Sequence, residues 1–69
     1  MIVIVNDQRL EVDEQTTVAA LLESLGFPDC GVAVAIDFSV LPRSDWATTL
    51  SELPGAPPRL EVVTAVQGG

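Results

Sequence analysis

The sequence predicts an α+β domain, a mixed sheet of four to five strands packed on one helix. Three observations predict it. Apolar runs with β-branched residues or period-two alternation recur along the chain, at 1–5, 9–13, 32–36, 40–41 and 60–66. A single stretch changes period, with Val18, Leu21, Leu22 and Leu25 at i, i+3, i+4 and i+7. Asn, Gly and Pro punctuate the joins between these segments.

The first strand, MIVIV, is β-branched and reads as buried. Asn6-Asp7 supplies turn chemistry, and Arg9-Leu10-Glu11-Val12-Asp13 returns as a half-exposed strand with Leu10 and Val12 inward. Thr17 stands where a helix N-cap belongs, and Gly26 where the chain must take a left-handed stop. Phe27-Pro28 prevents the helix from resuming. Val32-Ala33-Val34-Ala35-Ile36 is a third strand, with its large residues on one face. Asp37-Phe38-Ser39 turns it, and Val40-Leu41 pairs back. Pro42 has no amide hydrogen, so this strand is short and belongs at an edge. Trp46 is placed as the plug of one end of the core. Three prolines between 53 and 58 make a rigid loop before the last, valine-rich strand.

The resulting order is β-β-α-β-β-β. The strands nearest the two chain ends are the most apolar, which places them side by side at the sheet centre. With one helix covering one face, this is the ubiquitin-like β-grasp arrangement. Residues 1–65 are expected to form the domain and 66–69 a flexible reactive tail.

Composition excludes much chemistry. Sixty-nine residues, 48 % of them apolar, allow one core and no second lobe. Ten acidic residues against three arginines give a net charge of −7, which disfavours nucleic acid and anionic lipid. The sequence has no histidine or lysine and one cysteine, so a His/Cys zinc site and a Schiff-base lysine are both absent. Asp13-Glu14 reads as a solvated pair near a helix start. Cys30 cannot form an internal disulfide and is expected to be a small, partly buried thiol in a reducing cytoplasm. The opening MIVIVND does not read as a signal peptide, and no apolar run of the sequence approaches membrane length. The domain reads as cytoplasmic and non-enzymatic, with no bound cofactor and no metal site.

What remains is the ending, Val66-Gln67-Gly68-Gly69. Glycines lack Cβ atoms, so they pass through narrow channels and leave the terminal carbonyl carbon unhindered. Four extended residues reach at most about 14 Å, enough to enter a partner's cleft. A carboxylate is a poor electrophile, and a partner would have to activate it as a mixed anhydride with ATP.

Several segments carry a family resemblance over nearly the whole chain: Thr17 to Leu22, Val32 to Ile36, Leu41-Pro42-Arg43-Ser44-Asp45-Trp46-Ala47, and the closing residues 60–69. The chain resembles the sulfur carrier protein family ThiS of thiamin biosynthesis. The resemblance implies that Gly69 is adenylated by an E1-like adenylating enzyme, which consumes ATP, and then becomes a thiocarboxylate. It further implies sulfur delivery by a sulfur-donor protein and transfer to thiazole synthase. Val66, Gln67 and Gly68 would thread the partner's channel. Phe38, Val62 and Thr64 are expected on the partner surface, the last two on an apolar sheet face that runs from Val62 into the tail.

Two features depart from the family pattern. Asp37-Phe38 stands where Asn-Gly is common; phenylalanine tolerates positive φ poorly, so either Phe38 is exposed for contact or a different turn buries it. The proline-rich 53–58 loop is longer than usual and is expected to leave function unchanged. Two readings from neighbouring classes remain: the small subunit of molybdopterin synthase, and a ubiquitin-like protein modifier. A third is an interaction domain whose glycines are incidental.

Overall fold

A computed structural model describes residues 1–28 and 30–64. Five strands, β1 (Ile2–Val5), β2 (Gln8–Glu11), β3 (Val32–Ile36), β4 (Ser39–Leu41) and β5 (Arg59–Thr64), form one sheet in the order β2-β1-β5-β3-β4. β1 and β5 are parallel and adjacent, as their apolar content predicts, and the other pairs are antiparallel. With the single helix α1 (Val18–Ser24), this is the ubiquitin-like β-grasp fold. β4 lies at the edge ahead of Pro42, where a missing amide donor breaks no ladder.

The first hairpin closes on Asn6 and Asp7, both at positive φ, between the partners Val5 and Gln8. That is the geometry of a primed two-residue turn, and Asn and Asp tolerate it. At the start of α1 the Thr17 hydroxyl accepts from the Ala20 amide at 3.1 Å. The Val18 and Ala19 amides donate to the carbonyls of Thr48 and Trp46. Three first-turn donors that an isolated helix leaves to water are thus met inside the fold.

The helix ends one residue before the predicted stripe does. The Gly26 and Phe27 amides return to Glu23 and Leu22, with Gly26 at φ 86°, a Schellman stop. Leu25 therefore caps the helix and is 41 % exposed, while Phe27 packs against the core. Cys30 is exposed, in contrast to the partly buried thiol expected, because it sits in the connection between this stop and β3.

The core is a two-layer sandwich. Val3, Val5, Val34, Ile36, Leu60 and Val62 come from one sheet face, and Val18, Leu21 and Leu22 from α1. Trp46 and Leu50 close one end, as expected for Trp46. They are carried by two short 3-10 turns, Arg43–Asp45 and Leu50–Glu52, that the sequence pattern does not reveal. The Trp46 indole donates to the Leu41 carbonyl at 3.3 Å, and Arg43 lies over its ring. No helix among the described residues is long and apolar enough to cross a membrane.

Candidate functional site

The expected reactive residues Val66, Gln67, Gly68 and Gly69 lie outside the described residues, as does the 65/66 boundary between domain and tail. What the structure describes is the strand that leads to them. β5 is the central strand, flanked by β1 and β3, so its backbone is held on both sides. Its pairing with β3 runs from Leu60 opposite Ile36 to Thr64 opposite Val32.

A side chain continues the grip on β5 beyond the β1 ladder. The Asn6 carboxamide accepts from the Val62 amide at 2.8 Å and donates to the Val62 carbonyl at 3.1 Å. The Asn6 amide itself donates to the Leu60 carbonyl. A primed turn favours Asn for its backbone; here the side chain also acts as a short extra strand for β5, three residues before the undescribed segment.

The predicted partner-surface residues separate. Phe38 is fully exposed and Thr64 is exposed, but Val62 is 5 % exposed and faces α1. Val62 is thus part of the core, because Leu60 and Val62 share the inward parity of β5. Val63 has the outward place, at 61 % exposure. Glu61 points outward with it, and that charged neighbour could have fixed the parity from sequence. Phe38 and Thr64 are not brought together. They lie at opposite ends of the β3–β5 pair, more than about 13 Å apart for four residues of strand rise.

Phe38 resolves in favour of exposure. Ile36 pairs with Ser39, so Asp37 and Phe38 alone form the turn, at φ 53° and 67°. Alongside it the outer sheet face presents Ala33, Ala35, Val40 and Val63, with Val40 71 % exposed. Among the described residues, no group of three or more His, Cys, Asp or Glu side chains could hold a metal ion.

Comparison with known proteins places this geometry. The profile of the ThiS family matches residues 2–69. The chain belongs to the ThiS family. Its fold is similar to the crystal structure of a thiamine biosynthesis protein (ThiS) from Geobacter metallireducens, with a TM-score of 0.72 and 26 % sequence identity. The match covers 100 % of both chains. No match was found among curated proteins.

Proposed function

We propose that the protein is a sulfur carrier of thiamin biosynthesis whose Gly69 carboxylate is the working group. Family membership over residues 2–69, including the closing Gly68-Gly69, carries this reading. An E1-like adenylating enzyme would join the carboxylate to AMP and release pyrophosphate from ATP. A persulfide on a donor protein would then displace AMP to form an acyl disulfide, and a thiol would cleave its S–S bond, releasing the thiocarboxylate and leaving a disulfide. That terminal sulfur is a soft nucleophile for thiazole synthase to use in building a thiazole ring. Within this scheme the domain is a cytoplasmic co-substrate of its partners, not a catalyst, and needs no resident cofactor.

The fold suits this role for a physical reason. A handle passed between enzymes must not unfold when its end is pulled into a channel. β5 has a neighbour on each side and buries Leu60 and Val62 at its core face. Deleting Gly69 is expected to abolish loading by the activating enzyme, ATP and a sulfur source, read by intact mass, while leaving the thermal midpoint unchanged. Loading of the truncated chain would contradict the proposal. A charge placed at Val66 is expected to weaken binding to both enzymes. Appearance of the chain on larger covalent species, in place of a mass gain, would instead mark a protein modifier.

A further inference from the structure

Away from the tail, the β3–β4 turn and the 53–58 loop enclose a shallow groove of about 550 Å³. Its apolar lining includes Ala35, Ile36, Phe38, Pro54 and Pro57, and two carboxylates, Asp37 and Glu61, border it. Arg59 also lines it, but its guanidinium is engaged by Asp7 at 3.2 Å. Among the described residues, neither Asp37 nor Glu61 has a basic partner.

We propose that this groove docks an arginine- or lysine-bearing segment of the activating enzyme, with Phe38 as the anchor. The inference rests on the carrier reading only for the identity of that enzyme. Three observations carry it. Phe38 is unfavourable twice over in the free protein, as an aromatic side chain wholly in water and as a bulky residue at φ 67°. Glycine or asparagine would remove both penalties, and such strain at an exposed aromatic points to a contact. The two carboxylates line the same groove as Phe38, so a cation drawn into it would meet an aromatic ring and negative charge in one site. Its aliphatic stem would lie along Ala35 and the prolines, as long basic side chains do on apolar surface.

Charge selects the occupant. With a net charge of −7, a second copy of this chain is repelled, and so is a nucleic acid or anionic surface. A basic protein surface is attracted. The 53–58 loop, expected from sequence to be without functional consequence, forms one wall of the site.

Because the groove and Thr64 are at opposite ends of the β3–β5 pair, docking and delivery of the tail are separable. The test is steady-state adenylation of the full chain by the activating enzyme, followed by pyrophosphate release. Phe38→Gly is expected to raise KM about 10-fold or more with kcat unchanged. The double change Asp37→Asn with Glu61→Gln is expected to raise KM at low salt and to flatten the salt dependence of kcat/KM. Thermal midpoints at or above the wild-type value would show that the variants are folded. If the wild-type chain is adenylated and both variants keep its KM and salt dependence, the groove is not the docking site. If the wild-type chain is not adenylated at all, the carrier reading fails and the named partner with it.

Discussion

Replacing Asn6 by alanine removes a clamp, and its size follows from the geometry. Two hydrogen bonds to the Val62 backbone are lost, at 2.8 and 3.1 Å. At a net 0.5–1.5 kcal/mol each they account for about 1–3 kcal/mol. Asn6 is at φ 49°, where alanine meets its own carbonyl, adding about 1 kcal/mol. The sum, roughly 2–4 kcal/mol, is a large part of the ~3–10 kcal/mol expected for a domain of this size. At about 4–8 °C per kcal/mol, the thermal midpoint should fall by about 8–30 °C. Asn6→Gly keeps the backbone conformation accessible and should show mainly the hydrogen-bond loss, about 1–3 kcal/mol. Fluorescence of the single tryptophan, Trp46, reports the unfolding, and amide exchange at Val62 reports the clamp directly. A midpoint shift below about 2 °C, with Val62 exchange as slow as in wild type, would refute the reasoning.

Two other substitutions test separate parts of the structure. Leu50 is fully buried in the second 3-10 turn, and its amide donates to Thr16 ahead of the helix. Leu50→Ala should cost about 2–5 kcal/mol in urea unfolding; a loss under about 1 kcal/mol would mean that the site collapses freely. Phe38→Gly relieves about 1–2 kcal/mol of left-handed strain against roughly 0.5–1 kcal/mol of added chain entropy. The net, up to about 1.5 kcal/mol, should raise the midpoint by up to about 12 °C, and a fall would show that the turn is not strained.

The elements themselves were legible because their signals are local. Thr17, Gly26 and Phe27-Pro28 bracket the helix by capping chemistry, and β3 coincides with its apolar alternation. What sequence did not reveal depends on partners far along the chain. Asn6 reads as a turn residue, but its side chain meets Val62, 56 positions away. The helix start is completed by carbonyls of Trp46 and Thr48, in a segment with no periodicity of its own. Val62 and Val63 are chemically identical neighbours, and the one local signal that Val62 is the inward of the two is the charge of Glu61 beside it. Phe38 runs against the preference of the turn it occupies, so local propensity could not choose between exposure and burial. Of the candidate site, the exposure of Thr64 was readable, the burial of Val62 was not, and neither was the groove beside the 53–58 loop.

The central claim concerns a single atom exchange at the last residue. Incubation with the activating enzyme, ATP and a sulfur source, followed by mass spectrometry of the intact chain and its C-terminal fragment, tests it most directly. The account predicts a gain equal to sulfur minus oxygen, confined to a fragment containing Gly69. An unchanged mass under those conditions, or sulfur found on Cys30 instead, would contradict it.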